Sequence, residues 1–356
     1  MNLNKMMIHM VLAKHYPFTS LNPYQGLMFK GLASHWINAI GIEGGLRELA
    51  TEVREGHANV LHLHWIHGAA TFGNLPGALL RFGIFHSALL MARLKQKRIV
   101  WTVHNLVHHE HHRDWLDHLN SRLVARQAHA ILVHGDSVIP VVASLLGVNK
   151  KKIHTIHHGN YKGIVQFKPP PETKDGVRFL FFGMIRPYKG VENLLGAFQQ
   201  LAGSHQLHIA GSVKFDDLKQ TIEKHAADDP ERIITELAFV SDERLQELLG
   251  WCDVVVLPYR DIFTSGSLLM AMTAGRPVVA PRAGLIPEYV DESMAFLYDP
   301  KDPNGLELAL AKAAQSDQLE EMAHCAAKRA DDFDWDKICG KLAAIYAGDD
   351  QGVKSS

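Results

Sequence analysis

Short apolar runs alternate with longer amphipathic segments along nearly the whole chain, as strands and helices do in a parallel α/β sheet. The strand-like runs of the first half lie at residues 6–13, 60–65, 98–105, 130–135 and 152–159. A second series of such runs lies at residues 177–183, 205–211, 233–241, 253–258, 277–280 and 295–299. The alternation predicts two Rossmann-like, doubly wound parallel-sheet domains of the α/β class that face a cleft.

The pattern is interrupted between the two series by a proline run, Pro169-Pro170-Pro171, and by the turn signal Lys174-Asp175-Gly176. Such a segment is typical of a linker between domains. At 356 residues, the chain is long enough for two hydrophobic cores. We therefore predict an N-terminal domain at residues 1–163 and a C-terminal domain at residues 164–330. A last helix within residues 331–356 is expected to pack back on the N-terminal domain.

Charge is divided unevenly between the two halves. Residues 1–163 contain 17 Lys and Arg against 8 Asp and Glu, and the remainder contains 20 against 30. The basic half favours an anionic partner, such as lipid headgroups or a phosphorylated acceptor, but attraction between the two halves explains the division equally well. A nucleic-acid partner is not expected, because the chain lacks a platform of interleaved aromatic and basic residues.

The cysteines and the N-terminus bear on the compartment. Cys252, Cys325 and Cys339 are scattered, which fits neither a disulfide framework nor a metal cluster and favours a reducing environment. The N-terminal residues predict a strand rather than a signal peptide. No run reaches the roughly 18 uncharged apolar residues of a membrane span. We expect a cytoplasmic protein, either free or bound at the inner face of the cell membrane.

Two turns of the second half suit a phosphate-bearing ligand. Thr264, Ser265, Gly266 and Ser267 stand between a buried strand and a helix, where free backbone N–H groups and the helix dipole favour an anion. In the segment 183–190, Gly183 permits close approach of the backbone, Arg186 offers a fork of donors and Lys189 a point charge. A solvated basic turn is the alternative for that second segment.

Several segments carry a family resemblance that covers nearly the whole chain in order. Residues 183–190, 275–280 and 284–288, together with Thr102-Val103-His104-Asn105 and His157-His158-Gly159-Asn160, resemble motifs of GT-B-fold glycosyltransferases of the family 4 type, glycosyl transferases group 1. The resemblance implies that the C-terminal domain binds a nucleotide sugar and the N-terminal domain an acceptor. It also implies a reaction without a metal ion or another cofactor.

The expected function is transfer of a hexosyl unit from a UDP- or GDP-sugar to a saccharide acceptor. A lipid-linked acceptor in surface polysaccharide biosynthesis is the predicted case. A sugar-nucleotide epimerase of the same fold and a catalytically silent nucleotide-sugar-binding protein are the alternatives.

The chain departs from the family pattern at three positions. Met270 and Ile262 stand where the family has glutamates, and Met184 stands where it has an arginine, with Arg186 two residues later. The first missing carboxylate commonly supports the sugar in retaining members, so a retaining mechanism is not carried over and the stereochemistry stays open.

An inverting reaction needs a general base to take the proton of the acceptor hydroxyl. The segment 104–114, HNLVHHEHHRD, follows a buried strand and offers Glu110 as first candidate and Asp114 as second. A carboxylate serves as a base near neutral pH when apolar surroundings raise its pKa. The dense histidines also resemble a metal-binding tract, but their spacing is not that of a zinc site, and no metal ligands are assigned.

Three further sets of residues have two open interpretations each. By resemblance, His104 contacts the donor sugar or phosphate; the alternative is a hydrogen-bonded core histidine. Glu288 lies near the ribose by resemblance, or only caps a helix. The histidines His62, His64 and His67 either pack in the core or line an acceptor site.

The segment 79–98 is strongly apolar and ends in four cations. One interpretation is a crossover helix that covers the sheet. The other is an interfacial helix that settles at an anionic membrane, where a lipid-linked acceptor would lie.

Overall fold

The computed structural model describes residues 10–20, 22–105, 114–169 and 176–349. The chain divides into two compact units, Met1–Gly159 with Asp334–Ser356, and Asn160–Phe333. The domain limits predicted from the sequence differ from these by a few residues and stay predictions. Each unit is a parallel sheet covered by helices, so the α/β class and the two Rossmann-like sheets are confirmed.

The first unit alternates strands and helices in chain order. Its elements are β1 (Val11–Tyr16), α1 (Pro23–Ala33), β2 (Ile37–Gly41), α2 (Leu46–Glu55), β3 (Val60–Leu63), α3 (Ile66–Ala70), α4 (Leu75–Leu94), β4 (Arg98–Thr102), α5 (Asp114–Gln127), β5 (Ala130–Val133), α6 (Ile139–Leu146) and β6 (Ile153–Thr155). Within the described residues, the sheet order is β2-β1-β3-β4-β5-β6, and every neighbouring pair is parallel. The carboxyl ends of all these strands therefore lie along one edge, where ligands of such sheets bind.

Local sequence explains where these elements begin. The side chain of Asn22 accepts a hydrogen bond from the backbone of Tyr24, and Pro23 occupies the first turn of α1. Asn74 caps α4 in the same way. Strands β3 and β5 are buried along their whole length, as expected for central strands of a covered parallel sheet.

The second unit repeats the alternation. Its elements are β7 (Arg178–Phe182), α7 (Val191–Gln199), β8 (Gln206–Ala210), α8 (Asp216–Asp228), β9 (Ile233–Glu236), α9 (Asp242–Trp251), β10 (Val254–Val256), α10 (Gly266–Thr273), β11 (Val278–Pro281), α11 (Ile286–Tyr289), β12 (Ala295–Tyr298), α12 (Gly305–Ala314) and α13 (Leu319–Ala330). In the part of the chain that the structure describes, the sheet order is β12-β11-β10-β7-β8-β9, again all parallel. The aromatic rings of Phe179, Phe181 and Phe198 are fully buried in its core.

The last helix, α14 (Trp335–Ala347), belongs to the first unit and packs on α1. The Sγ atom of Cys339 lies 3.4 Å from the carbonyl oxygen of Met28. A Cβ atom at Gly31 would lie 2.8 Å from the same sulfur, so the glycine lets the two helices approach closely. Tyr346, at the other end of α14, reaches the carboxyl edge of the first sheet.

Candidate active site

The predicted basic turn follows β7 and brings two of its residues, Gly183 and Lys189, close to Ser267 of the hydroxyl-rich turn. Gly183 has φ +103°, which favours glycine, and a Cβ atom there would lie 3.5 Å from Lys189 Nζ and 3.7 Å from Ser267 Oγ. A lysine ammonium, a serine hydroxyl and an open stretch of backbone therefore surround one small space. Arg186 lies at the start of this turn, with its guanidinium 5.7 Å from the ring of Phe215.

Lys189 is a partly buried cation. Its ammonium lies 6.0 Å from the ring centroid of Phe181 and 5.9 Å from that of Tyr259. Burial, together with the nearby charge of Arg186, lowers the pKa of Lys189 to about 8. The side chain therefore stays mainly protonated at neutral pH, and a bound anion would restore the stability of the charged form.

The hydroxyl-rich turn lies at the N-terminus of α10. Ser265 is the N-cap, and its Oγ accepts a hydrogen bond from the backbone of Leu268 at 3.1 Å. Tyr259 Oη lies 3.1 Å from the same oxygen. Thr264 Oγ1 is buried and has no hydrogen-bond partner among the described residues. A buried hydroxyl with unused hydrogen-bonding capacity at a helix N-terminus suits a polar or anionic ligand.

Two glycines hold neighbouring loops against each other at this edge of the sheet. Gly190 has φ +70°, and a Cβ atom there would lie 2.1 Å from the carbonyl oxygen of Pro258. Gly284 has φ +54°, and a Cβ atom there would lie 2.2 Å from the carbonyl oxygen of Ile262. The loops that follow β7, β10 and β11 therefore converge on the turn at Thr264.

Glu288 lies on α11, after the loop that contains Gly284. Its carbonyl oxygen accepts a hydrogen bond from Arg329 at 3.0 Å. Within the described residues, the close contacts around Gly183 do not include the Glu288 side chain. Its two interpretations, ribose contact and helix cap, both stay predictions.

In the first unit, His104 follows β4 and is buried. Its ring stacks on Trp65 with centroids 4.5 Å apart and planes 16° apart. His64 Nδ1 lies 3.0 Å from His104 Nε2, and His134 Nε2 lies 3.3 Å from His104 Nδ1. A cavity of about 170 Å³ is lined by Trp65, His67, His104, Asn105 and neighbouring residues. His104 is therefore both a hydrogen-bonded core histidine and part of a pocket wall.

Known proteins are similar to this chain in sequence or in fold. Residues 176–316 match the family described as glycosyl transferases group 1. The GDP-mannose:glycolipid 4-beta-D-mannosyltransferase of Xanthomonas campestris pv. campestris is 31% identical over 252 residues, which are 68% of this chain and 67% of that protein. The chain belongs to the group 1 glycosyltransferases.

Two more distant proteins are similar to this chain, one in sequence and one in fold. The MMP alpha-(1->4)-mannosyltransferase of Mycolicibacterium hassiacum is 26% identical over 230 residues, 63% of this chain and 55% of that protein. HepE of Anabaena, solved in complex with UDP and glucose, superposes with a TM-score of 0.70 at 18% identity, covering 96% of this chain and all of that one. The similarity to HepE shows the GT-B fold alone. The expected enzyme class, a glycosyltransferase of the hexosyltransferase type, is confirmed.

The predicted base candidates fall at the edge of what the structure describes. Glu110 lies outside the described residues, as do the neighbouring histidines of that segment. Asp114 is the exposed first residue of α5. Both stay predictions for this glycosyltransferase.

The structure also reveals a cluster that the sequence analysis missed. The ring nitrogens of His15, His62 and His64 lie within 4.8 Å of one another, although His15 is on β1 and the other two are at β3. A signal was present in the sequence. A histidine occurs at the carboxyl end of β1, β3, β4 and β5, as His15, His64, His104 and His134.

Proposed function

We propose that this glycosyltransferase transfers a mannosyl unit from GDP-mannose to a lipid-linked saccharide in the assembly of a surface polysaccharide. The observation that carries the proposal is the 31% identity to a GDP-mannose:glycolipid 4-beta-D-mannosyltransferase over two thirds of both chains. The Mycolicibacterium relative is also named as a mannosyltransferase. HepE of Anabaena was solved with UDP, so the choice between guanine and uracil is the part to test first.

Leaving-group stabilisation is assigned to the second unit. Lys189 and Arg186 supply positive charge, while Ser267, Thr264 and the N-terminus of α10 supply hydrogen-bond donors to the diphosphate. Together these groups offset the charge that develops as the sugar leaves, so we propose that no metal ion or other cofactor takes part. Gly266 and Ser265 hold the turn in place, and Glu288 is retained as a candidate ribose contact.

We propose an inverting reaction. Met270, in the slot of the family's glutamate, is buried and offers no charge to the sugar. An inverting transfer instead needs a base near the acceptor, for which Glu110 is the first candidate and Asp114 the second. The Xanthomonas relative is named for a beta linkage, which supports the same outcome.

Nucleotide binding tests the donor. A ligand that binds only the folded protein stabilises it by about 2.7 kcal/mol at a hundred times its Kd. We expect GDP and GDP-mannose to raise the melting temperature by several degrees, and UDP and UDP-glucose to have little effect. Stabilisation by UDP alone would overturn the choice of GDP. The transfer reaction is then followed as release of GDP with a lipid-linked saccharide fraction, and the linkage of the product is determined by NMR.

We propose further that α4 rests on an anionic lipid surface. It is the one helix, within the described residues, that is long and apolar enough to cross a membrane, but only 28% of its apolar window is buried. Phe85 and Leu89 face the core, whereas Leu80 and Leu94 are 66% and 77% exposed. The helix contains no acidic residue and carries Arg81 and Arg93. An apolar face flanked by cations fits the boundary between lipid headgroups and acyl chains.

Vesicle binding tests this role of α4. We expect the protein to sediment with vesicles of anionic lipid, less with neutral vesicles, and less at high salt because the charges are screened. Burying each exposed leucine contributes about 1.5–3 kcal/mol at most. The double variant Leu80→Asn with Leu94→Asn should therefore weaken binding about tenfold or more. Phe239→Asn, at a residue 78% exposed in the second unit, is the control. Equal binding by both variants would refute the assignment.

A further inference from the structure

Five buried histidines occupy the carboxyl edge of the first sheet. His15 is on β1 and His62 is on β3. His64 and His134 directly follow β3 and β5, and His104 is the second residue after β4. All five are at most 8% exposed. Buried imidazoles at such density require partners for every ring nitrogen, because an unpaired polar group in a core costs free energy.

The partners are mostly the other members of the set. His62 Nε2 lies 2.7 Å from Thr102 Oγ1, and His62 Nδ1 lies 2.5 Å from Tyr346 Oη. Tyr346 Oη lies 3.3 Å from His15 Nε2. His15 Nδ1 then lies 3.0 Å from His64 Nε2. The contacts of His64 with His104, and of His104 with His134, continue this series, which we call the histidine chain.

The end of the histidine chain fixes its direction. His134 Nδ1 lies 2.8 Å from the carbonyl oxygen of Ile156, which can only accept a hydrogen bond. In a neutral ring, His134 Nδ1 then carries the proton, and its Nε2 must accept from His104 Nδ1. The same step repeats at each ring, because a neutral imidazole has one donor and one acceptor.

The donor and the acceptor of every hydrogen bond in the histidine chain are therefore determined, from His134 to Thr102. His104 Nε2 accepts from His64, and His64 Nε2 accepts from His15. The Tyr346 hydroxyl donates to His15 Nε2 and accepts from His62 Nδ1. Finally, Thr102 donates to His62 Nε2. All five histidines carry their proton on Nδ1, and every donor meets an acceptor.

Burial supports the neutral forms. Desolvation is the largest cause that lowers the pKa of each of the five rings, and neighbouring histidines lower it further. A metal ion at His15, His62 and His64 is the competing explanation. It would require lone pairs that now accept hydrogen bonds, and these three residues include no carboxylate to balance its charge.

We propose that the histidine chain is a hydrogen-bond network of fixed direction that holds His104 as the neutral Nδ1–H tautomer in the wall of the pocket. His134 and His64 are then positioning residues that act through His104. Because both nitrogens of His104 are engaged, His104 is not the base that takes the acceptor proton. The effect of these residues on glycosyl transfer rests on the proposed function, but the tautomers of the five rings do not depend on it.

The tautomers are measurable without any substrate. Long-range proton–nitrogen NMR spectra of the protein labelled with ¹⁵N-histidine distinguish Nδ1–H, Nε2–H and imidazolium forms. We expect Nδ1–H rings at His15, His62, His64, His104 and His134 at neutral pH. An Nε2–H or imidazolium form at any of these five would overturn the proposal. So would one equivalent of zinc that is retained after dialysis and lost in His15→Ala.

Two variants test the direction of the chain. His134→Phe removes the link to the Ile156 carbonyl, so His104, His64 and His15 should lose their single tautomer. Tyr346→Phe breaks the chain on the far side, so these same three rings should keep the Nδ1–H form. His86→Gln, at a hydrogen-bonded histidine outside the chain, should leave all five unchanged. Equal effects of His134→Phe and Tyr346→Phe on His104 would contradict a fixed direction. If His134→Phe does not fold, the tautomers measured by NMR in Tyr346→Phe and in the unmodified protein still test the proposal.

Transfer rates add a readout that rests on the proposed function. We expect His134→Phe to lower kcat more than it changes the KM for GDP-mannose, since His104 is misplaced while the donor site in the second unit is intact. Over the pH range in which both proteins stay folded, the acidic limb of the pH–rate profile should be the same in wild type and His134→Phe, because His104 takes no proton. A displaced limb would overturn the exclusion of His104 as base. Absence of transfer with every donor would count against the proposed function and leave the NMR result standing.

Discussion

Acidification from about pH 7 to about pH 5 should unfold the first unit, because its core contains neutral histidines that protonate when they reach water. Six buried rings have a lowered pKa with desolvation as the largest cause: His15, His62, His64, His104, His134 and His158. The values for His134 and His158 are about 3 and about 4. An unfolded chain has ordinary histidines with a pKa near 6.5.

This difference in histidine pKa between the folded and the unfolded chain determines how stability changes with pH. Above about pH 6.5 these rings are neutral in both states, and their pKa shifts have no effect on stability. As the pH falls below that value, the unfolded chain binds protons that the folded core excludes, so the free energy of unfolding decreases. Each group contributes at most about 1.4 kcal/mol per pH unit, or about 8 kcal/mol per unit for all six. A typical domain is stable by only about 5–15 kcal/mol, so one to two pH units suffice.

Calorimetry and circular dichroism between about pH 7.5 and about pH 5 measure this effect, together with the number of protons taken up on unfolding. We expect the melting temperature to fall steeply below about pH 6.5, with close to six protons bound by the first unit. His57→Gln, at an exposed histidine of the same unit, is the control and should leave the slope unchanged. A melting temperature that stays constant over this range would show that the rings are already protonated or accessible.

Some elements follow directly from the sequence pattern. The spacing of apolar residues predicts helices at residues 114–127 and 242–251, and α5 and α9 have these bounds. Both helices begin with acidic residues that suit the positive end of the helix dipole. The first strand was predicted at residues 6–13, but β1 runs from Val11 to Tyr16, and residues 6–9 lie outside the described part. Strand ends carry polar residues that face the ligand edge, and hydrophobicity alone places them poorly.

The pair β2 and α2 was not predicted. Strand β2 has only one buried residue, because it is at the edge of the sheet, and so it lacks the apolar run of a central strand. Helix α2 does carry an apolar stripe, at Leu46, Leu49 and Val53, so its signal was present and was overlooked. Edge strands depend on their neighbour for stability, which a single-sequence pattern does not contain.

The basic turn of the second unit and the histidine chain of the first unit differ in how far the sequence predicts them. Gly183, Lys189 and Ser267 come from two segments that each suggest a phosphate site, and the adjacency of β7 and β10 brings them together. The histidine chain depends on the register of four strands and on Tyr346 from α14. Each histidine alone is an ordinary core residue. The distances between the rings show that the histidines are hydrogen-bonded to one another, and the carbonyl oxygen of Ile156 determines the direction of those hydrogen bonds.

Replacement of Lys189 by alanine should have the largest effect on catalysis. The Nζ atom is close to Gly183 and Ser267 and is partly removed from water, where its attraction to a diphosphate is stronger than on an open surface. The interaction grows as the leaving group gains charge, so kcat should fall together with affinity. We expect kcat/KM for GDP-mannose to fall about 10²–10³-fold, the range measured when one such electrostatic contact is removed.

The pH dependence of donor binding gives independent evidence for the contact between Lys189 and the diphosphate. Because the pKa of Lys189 is about 8, donor affinity in the free enzyme should weaken as the pH rises through that value, and Lys189→Arg should abolish this dependence while retaining part of the affinity. Calorimetric titration with GDP at several pH values measures both effects. Lys219→Ala, at an exposed lysine paired with Glu223 on α8, is the matched control and should bind like wild type. If Lys189→Ala bound GDP within about twofold of wild type, a change of under about 0.5 kcal/mol, the diphosphate would have to lie elsewhere, since no cation this close to Gly183 and Ser267 could be indifferent to it.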